Sequence, residues 1–390
     1  MGGLTTFKEK VITFSRPSKL LFDVYRESLR DLRRDSKRIL LNQSHIKGAL
    51  EWILEAQKVN KDGGVPMLYS LKNGWNRSFP ETTGYIIPTI FNTSIFFKNK
   101  TYRKNALSMA DWLLKLQLEN GTFPAETKPG SKPIVFNTGQ VIFGLVRTYE
   151  ESKLKRYKQA AIKAANWLVK VQGSSKFWNK YVYNNIPHAY NTRTAWALLE
   201  AYKISKDKKH LDTAKKNLDW ALTQQLDNGW FKNNSFYVED DTLTHAICYA
   251  TEGLLESGIL LKQKKYINAA KKTMDSLLKK QRKDGSFLGR YDKNWNPTAN
   301  WICLTGDAQA SVVFLRLFEI TKDKNYKNAA IRINNHLKKK QDLNSINKGI
   351  KGGIKGSYPI YGDYQTFNYC SWAAKFLIDA LLLEEKLKWT

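Results

Sequence analysis

The segment Trp112-Leu-Leu-Lys-Leu-Gln117-Leu-Glu-Asn-Gly121-Thr-Phe123 decides the fold, because versions of it return along the whole chain. The copies align on a glutamine, and these glutamines lie 60, 55, 53, 56 and 60 residues apart: Gln57, Gln117, Gln172, Gln225, Gln281 and Gln341. A turn of glycine and an aromatic residue follows most of them, as in Gly285-Ser-Phe287. Units that repeat at a fixed period bury their apolar faces against their neighbours. The sequence therefore predicts one array of six units.

Each unit contains two predicted helices of different character. In the first helix, apolar residues recur at three- and four-residue steps, as in Ala270, Met274 and Leu277, which predicts one wet face. The second helix is apolar nearly all round, as in Val141-Ile-Phe-Gly-Leu-Val146, which predicts burial on every side. Six helices of each kind indicate an all-α fold: an (α/α)6 toroid or barrel of six helical hairpins, with the apolar helices inside.

We expect the toroid domain to span residues 44–390, after an N-terminal extension at 1–43. Residues 17–40 place Leu21, Val24, Leu29 and Leu32 among five arginines, which predicts a basic amphipathic helix outside the repeat. Two roles fit this helix. It packs over the array as a cap, or it makes a peripheral membrane contact, since a basic face opposite apolar residues suits anionic headgroups.

The charge is strongly positive, since 64 Lys+Arg against 35 Asp+Glu gives 64 − 35 = +29. Such a field attracts anions, although many lysines are expected on solvated helix faces. The lysines are spread over the whole length and no nucleic-acid recognition motif is present, so we expect no specific nucleic-acid partner. An acidic glycan is the anionic partner predicted here.

Three cysteines, Cys248, Cys303 and Cys370, lie far apart in apolar surroundings and form neither a disulfide framework nor a zinc motif. They favour a reducing compartment. The N-terminus lacks the apolar core of a signal peptide, and no run of eighteen apolar residues occurs, so we expect a cytoplasmic protein without a membrane span.

The absence of paired histidines, a phosphate-binding loop and a dinucleotide motif predicts no metal and no cofactor. The sequence makes no prediction of oligomeric state.

The connections between helices predict where the site lies. Links from the second helix to the next first helix are brief, whereas links from first to second are long and carry polar and aromatic residues. Long ordered loops on a rigid scaffold usually carry function. All six long loops open on one end of the ring, where inner-helix N-termini direct unpaired N–H groups towards an anion.

Acid–base candidates lie at this mouth. Glu81 precedes an inner helix within an uncharged run, so we predict partial desolvation and a raised pKa, the alternative being a first-turn acid that interacts with the helix dipole. Asp240 and Asp241 either share a proton or cap a helix. His188 and His245 titrate near neutrality, or are structural histidines. The full set of predicted catalytic residues is Glu81, Tyr85, His188, Asp240, Asp241, His245 and Asp307.

Substrate-binding candidates combine aromatic rings with polar groups, because sugar rings stack on flat apolar faces while their hydroxyls need hydrogen-bond partners. Arginines would hold carboxylates. About half of the aromatic side chains are expected to be core, including Trp112, Trp167 and Trp220 on outer helices. The predicted substrate-binding residues are Trp75, Arg77, Asn137, Gln140, Tyr190, Asn191, Arg193, Trp295, Tyr361, Asn368 and Trp372.

Over residues 44 to 385, the repeat Gln-x-x-x-(Asp/Asn)-Gly-(Ser/Thr/Trp)-Phe resembles the superfamily of six-hairpin α/α toroids. That superfamily includes terpene and squalene cyclases, protein prenyltransferases, unsaturated glucuronyl hydrolases, polysaccharide lyases and the toroidal domain of glucuronyl C5-epimerases. The stretch from Gly74-Trp75 to Pro80-Glu81-Thr-Thr-Gly-Tyr85 is similar to toroids found with polysaccharide metabolism. The resemblance implies an enzyme that acts on a uronate-containing glycan by lyase, C5-epimerase or hydrolase chemistry.

Two alternatives stay open. Val238-Glu-Asp240-Asp241-Thr242 resembles the last three positions of the Asp-x-Asp-Asp-Thr motif of class II terpene cyclases, with Asp240 at the proton donor and Val238 in place of the first Asp. This resemblance implies a terpene cyclase-like or prenyl-diphosphate enzyme. The other alternative is a non-catalytic toroid that binds a glycan.

Overall fold

The computed structural model describes residues 19–32, 39–236 and 241–389, and within these ranges the chain forms thirteen α-helices. One helix, α1, spans Lys19–Leu32 and precedes the repeats. The outer helices are α2 (Asn42–Val59), α4 (Lys100–Leu116), α6 (Lys155–Gln172), α8 (Lys208–Gln224), α10 (Lys264–Leu278) and α12 (Lys324–Lys340). The inner helices are α3 (Pro80–Phe96), α5 (Val135–Ser152), α7 (Thr192–Ser205), α9 (Thr244–Leu261), α11 (Leu304–Thr321) and α13 (Ser371–Lys386).

The inner helices form a closed ring. Each one packs against the next inner helix, and α13 packs against both α3 and α2, which joins the last unit to the first. Outer helices bury one face only: Trp112, Trp167 and Trp220 are 5%, 5% and 8% exposed, as the spacing predicts. The prediction of an all-α (α/α)6 toroid is confirmed, and the ring begins at Asn42, two residues before the predicted boundary at 44.

The repeat glutamine joins one outer helix to the next. The Nε2 of Gln117 donates to the backbone oxygen of Gly121 in its own turn and to that of Ala160 in the following outer helix, both at 2.9 Å. Gln281 makes the same pair of bonds to Gly285 and Ala329, both at 3.0 Å. The other four amides also reach the next outer helix: Gln57 to Asn105, Gln172 to Thr213, Gln225 to Ala269 and Gln341 to His45. The last of these bonds closes the ring.

The glycine of the turn lies directly on the neighbouring unit. Gly285 has a φ of +94°, and a Cβ there would overlap the backbone oxygen of Arg332 in the next outer helix. Side chains are therefore excluded by both conformation and space. The aromatic residue that follows is buried, since Phe287 and Phe123 are 0% exposed. The Gly–aromatic motif thus places one aromatic side chain of each such turn into the core.

Short strands order the long loops at the mouth. Strand β1 (Leu68–Ser70) pairs with β2 (Gly74–Trp75) and with β7 (Asn368–Cys370), so the first and last loops form one sheet. Strand β3 (Asp241–Leu243) pairs with β4 (Arg290–Asp292), and β5 (Ile302–Cys303) with β6 (Ser357–Tyr358). Every pair is antiparallel. Connections on the opposite end contain only two or three residues.

Helix α1 lies outside the ring and packs on the loop between α12 and α13. The Nζ of Lys355 in that loop lies 3.1 Å from Glu27 Oε2 and 2.7 Å from Asp31 Oδ1. The cap predicted from the sequence is therefore present over Lys19–Leu32, whereas residues 33–38 of the predicted helix lie outside the described residues. In the part of the chain that the structure describes, no helix is long and apolar enough to cross a bilayer.

Replacing Gly285 with Ala should destabilise the toroid strongly. The left-handed conformation costs a residue with a Cβ about 1–2 kcal/mol, and forcing a methyl group onto a packed backbone costs about 1–3 kcal/mol. We expect the free energy of unfolding in urea to fall by about 3 kcal/mol. Gly74→Ala is the matched control, because Gly74 also has a positive φ (+75°) but has nothing within 4 Å of a Cβ. Equal losses in the two variants would contradict the proposed role of the contact.

Candidate active site

Two cavities open at the two ends of the ring. The mouth cavity, of about 310 Å³, lies where the inner helices begin. Its lining residues are Met67, Phe79, Glu81, Tyr85, Phe136, Tyr183, Asn184, Phe236, His245, Tyr249, Tyr364 and Trp372. The rear cavity, of about 720 Å³, opens at the inner-helix C-terminal ends and reaches inward to Tyr85, Arg193 and Glu252. It is larger, but its charged groups neutralise one another, as in the pair Lys375–Asp379 at 2.6 Å. The mouth cavity has the features of a catalytic site.

Glu81 supplies a carboxyl group to the mouth cavity. It lies in the first turn of α3, after Phe79 and Pro80, and is half-buried. Burial raises the pKa of Glu81 to about 8, although the positive charge of Arg193 opposes the rise. This rise has the direction that the sequence predicts. At neutral pH, Glu81 is mainly a neutral carboxylic acid that can donate a proton.

His245 supplies a base, and its neighbours determine which ring nitrogen carries the proton. The Nε2 of Gln309 donates to Glu252 Oε2 at 2.7 Å, since a carboxylate only accepts. The Oε1 of Gln309, 2.9 Å from His245 Nδ1, must therefore accept from an Nδ1–H. Burial, followed by the charge of Arg193, lowers the pKa of His245 to about 3. The ring is thus neutral, and its Nε2 lone pair is left for a ligand in the cavity.

A buried ion pair lies beneath these two groups. The Nη1 of Arg193 is 2.5 Å from Glu252 Oε2, and its Nε donates to Gln140 Oε1 at 2.8 Å. Burial raises the pKa of Glu252, but Arg193 and Lys375 outweigh that effect and keep it below its ordinary value. Glu252 is therefore a carboxylate, as the orientation of Gln309 requires. Arg193 was predicted to bind substrate, but it is 2% exposed and lies in this network rather than on the mouth lining.

Tyrosine hydroxyls complete the polar part of the cavity. Burial raises the pKa of Tyr85, Tyr249 and Tyr364 well above the usual value, so all three remain protonated hydrogen-bond donors. The rings of His245 and Tyr249 lie 4.1 Å apart between centroids, and Tyr364 is 5.8 Å from His245. The ring faces and hydroxyl groups of these tyrosines thus surround the imidazole of His245.

Of the residues predicted from the sequence, the structure brings together Glu81, Tyr85, His245 and Trp372 at the mouth cavity. Asp241 lies in β3, where it accepts from Arg290 Nη1 at 2.9 Å and from Thr298 Oγ1 at 2.6 Å. Asp307 is fully buried in the first turn of α11 and accepts from the backbone N–H of Phe287 at 3.1 Å. Neither lines the cavity. Asp240 lies outside the described residues.

His188 is buried behind the cavity. Its Nε2 is 2.9 Å from the backbone oxygen of Tyr183, and its ring stacks on Tyr190 at 4.6 Å between centroids. Burial lowers the pKa of His188. The predicted binding residues Asn137 and Asn191 are also buried, and they bond Tyr183 and Thr194 respectively, so they support the walls rather than face the cavity.

Several predicted sugar-binding residues lie elsewhere. Trp295 is 4% exposed, donates to the backbone oxygen of Asn228 at 3.1 Å and packs on Trp230. Trp75 is half-buried against Trp52. Trp295 is a core residue, whereas Trp75 packs against the edge of the core. The remaining candidates, which are exposed or half-buried and are not on the cavity lining, are Arg77, Tyr361 and Asn368.

Sequence reasoning missed Tyr249 and Glu252. Both lie on α9 with His245, at positions i+4 and i+7, and therefore share one helix face with it. The spacing was visible, but an apolar helix that is buried all round gives no sign of which face meets a cavity. Among the described residues, no group of three His, Cys, Asp or Glu side chains is arranged to hold a metal ion.

Comparison of the structure with known structures identifies the fold. No protein-family model matches the chain, and no curated protein matches it in sequence. An unsaturated glucuronyl hydrolase specific for heparin is similar in structure, with a TM-score of 0.72 and 15% identity over 90% of this chain and 98% of that one. Cellobiose 2-epimerase from Bacillus thermoamylovorans gives 0.70 and 14% over 87% and 97%. A glucuronyl hydrolase from a Bacillus species gives 0.69 and 15% over 88% and 96%. The protein has the six-hairpin α/α toroid fold of these enzymes.

The raised pKa of Glu81 should appear in the pH dependence of stability. Between pH 4.5 and about 8, the folded protein keeps the Glu81 proton while the unfolded chain releases it, so this group lowers the free energy of unfolding as pH rises. We expect urea denaturation to show a smaller loss of stability from pH 5 to pH 8 in Glu81→Gln than in the wild type. Glu126→Gln, at an exposed loop position, should keep the wild-type loss. If Glu81→Gln lost as much stability between pH 5 and pH 8 as the wild type, the assigned pKa of Glu81 would be contradicted.

The tautomer of His245 can be observed by ¹⁵N NMR of the imidazole. In the wild type we expect the Nδ1–H form, because Gln309 accepts from Nδ1. Gln309→Met removes this acceptor and should populate the Nε2–H form, whereas Gln309→Glu should restore Nδ1–H. A wild-type spectrum of the Nε2–H form would show that the orientation of Gln309 is wrong.

Proposed function

We propose that this protein is an enzyme that moves a proton at a sugar carbon next to a carboxylate in an acidic, uronate-containing glycan. The products are those of C5 epimerisation or of elimination. One observation carries the proposal: the mouth cavity combines a protonated carboxyl group, Glu81, with a neutral histidine, His245. General acid–base catalysis needs both forms at the same pH.

In this mechanism the Nε2 of His245 takes the C5 proton and becomes an imidazolium. The electron pair of the C–H bond passes to the sugar carboxylate as an enolate. Glu81 then gives its proton either to the opposite face of C5, which inverts that centre, or to the leaving glycosidic oxygen, which breaks the chain. A bound uronate makes His245 a stronger base, because a nearby negative charge favours the imidazolium.

An acidic substrate suits the electrostatics of this end of the ring. Five of the six inner helices have no side-chain capping hydrogen bond at their N-terminus. The first N–H groups of three of these helices, at Val135, Thr244 and Ser371, already donate to loop carbonyls, so it is the positive dipole ends that favour an anion at the mouth. The net charge of +29 adds a field of the same sign. Support also comes from the neighbours, which include a sugar epimerase and a hydrolase named for heparin.

Hydrolysis by two carboxylates is less well supported. Glu81 is the single carboxyl group among the described residues that line the mouth cavity. Retaining and inverting glycosidases ordinarily need a second carboxyl group on the other side of the bond.

The isoprenoid alternative has the aromatic lining in its favour, but it requires Asp240, which lies outside the described residues, and its neighbour Asp241 is held by Arg290. A cytoplasmic location belongs to the same proposal, and the three free, buried cysteines are consistent with it.

Proton NMR in deuterated buffer tests the proposed reaction directly. The protein is incubated with a panel of uronate polysaccharides, and we expect the C5–H signal to disappear, with an alkene signal as well if the chain is cleaved. Glu81→Gln and His245→Asn should each lower kcat/KM at least 100-fold, the lower part of the range for lost general acid–base catalysis. The wild-type rate should fall above pH 8, as Glu81 loses its proton.

Glu126→Gln is the matched control, since it removes an exposed acid from a mouth-side loop. New reducing ends without loss of C5–H would indicate a hydrolase instead. Full activity in both cavity variants would refute the proposed roles. If no uronate reacts, yet aromatic substitutions at the mouth weaken glycan binding, the protein is a non-catalytic binder.

A further inference from the structure

Helix α1 turns its three acidic side chains towards the protein and exposes several apolar side chains to solvent, although Val24 is buried. Asp23, Glu27 and Asp31 are 5%, 1% and 8% exposed. Phe22, Tyr25 and Leu32 are 61%, 50% and 45% exposed. This is the reverse of an ordinary surface helix, which buries its apolar face.

Polar contacts fix this orientation. The backbone N–H of Ile360 donates to Asp31 Oδ2 at 2.8 Å, and the hydroxyl of Tyr369 donates to Glu27 Oε2 at 2.9 Å. Lys355, which is 4% exposed, pairs with both carboxylates. The charge of Lys355 keeps the pKa of Glu27 below its usual value despite burial. Rotating α1 to hide Phe22 would break these buried contacts, so exposure of the apolar face is built into the fold.

We propose that the exposed face of α1 docks on an anionic lipid bilayer. Phe22, Tyr25, Leu29 and Leu32 follow one another at steps of three and four residues and so lie on one face. Arg26 and Arg30 follow the same face on one side, with 37% and 30% of their side chains exposed, and they pair with Asp23 at 3.0 Å and with Glu27 at 3.5 Å respectively. An apolar stripe beside arginines is the pattern of helices that lie in the membrane interface.

The charges favour a membrane over a second copy of the chain. The acids of α1 are buried and paired with Lys355, Arg26 and Arg30, so the exposed face itself is apolar and carries no acid. A second copy would bring the same sign of charge, with a net +29 on each chain. An anionic lipid surface is complementary to that net charge.

Residues near α1 extend its exposed apolar face and connect it to the mouth cavity. Asn347 donates to Asp23 Oδ2 at 2.8 Å, and its neighbour Ile346 is 91% exposed. Both belong to the loop between α12 and α13, which also contributes Tyr364 to the mouth cavity. Docking through α1 would thus hold the mouth close to the lipid headgroups. Docking at a membrane would determine where the protein lies and does not depend on the reaction proposed above.

Co-sedimentation of the full chain with vesicles tests the proposal, without any glycan. We expect binding to vesicles of phosphatidylcholine with phosphatidylglycerol, little binding to phosphatidylcholine alone, and weaker binding at high salt. The double variant Phe22→Ser with Tyr25→Ser should lower the partition coefficient at least tenfold. Arg26→Gln should weaken binding to the anionic vesicles severalfold.

Ile95→Ser is the matched control. Ile95 is 63% exposed, close to the value for Phe22, but lies at the rear cavity on the opposite end of the ring. This variant should bind vesicles like the wild type. Equal loss in the two variants, or unchanged binding in the double variant, would overturn the proposal. So would a wild-type dimer in light scattering that the double variant dissociates, because the face would then join two copies.

Discussion

The structure depends on one hydrogen-bonding side chain that is used six times. Each repeat glutamine lies in or just after the last turn of an outer helix and donates from its amide to the backbone of the next outer helix. An outer helix buries only one face, so its packing alone leaves the angle between units loosely defined. A directed bond from each unit to the next fixes that angle, and the bond from Gln341 to His45 requires the sixth unit to meet the first.

A ring of apolar inner helices leaves little water for any polar group inside it. The charges at its centre are therefore satisfied by one another: Arg193 by Glu252 and Gln140, and Glu252 by Gln309. Such a pair adds little net stability, but removing one partner would leave a buried charge uncompensated. Its structural consequence is that it orients the side chains around it. The fixed charge on Glu252 orients Gln309, Gln309 orients the His245 ring, and the lone pair of His245 is left for the mouth.

The fold could be predicted from the sequence because periodicity records burial, and six copies of the signal reinforce one another. The unequal connections also predicted the end of the ring at which Glu81, Tyr85, His245 and Trp372 come together around one cavity. Periodicity does not say which loop aromatic folds inward: Trp295, predicted to bind sugar, is buried against Trp230, and Trp75 packs on Trp52 away from the cavity lining. Arg193 was misplaced for a related reason, since its partners Gln140 and Glu252 lie 53 and 59 residues away along the chain.

Opposing effects set the protonation state of Glu81, and their sizes show which one is larger. A helix N-terminus stabilises a carboxylate by about 0.3–1 kcal/mol, which is less than one pKa unit at 1.36 kcal/mol per unit. Arg193 acts in the same direction, yet desolvation outweighs both and carries the pKa to about 8. An anion bound in the mouth would add to desolvation at Glu81 and would favour a proton on His245 as well. A uronate would therefore hold the acid in its donating form and strengthen the base at the same time, whereas a neutral sugar would do neither.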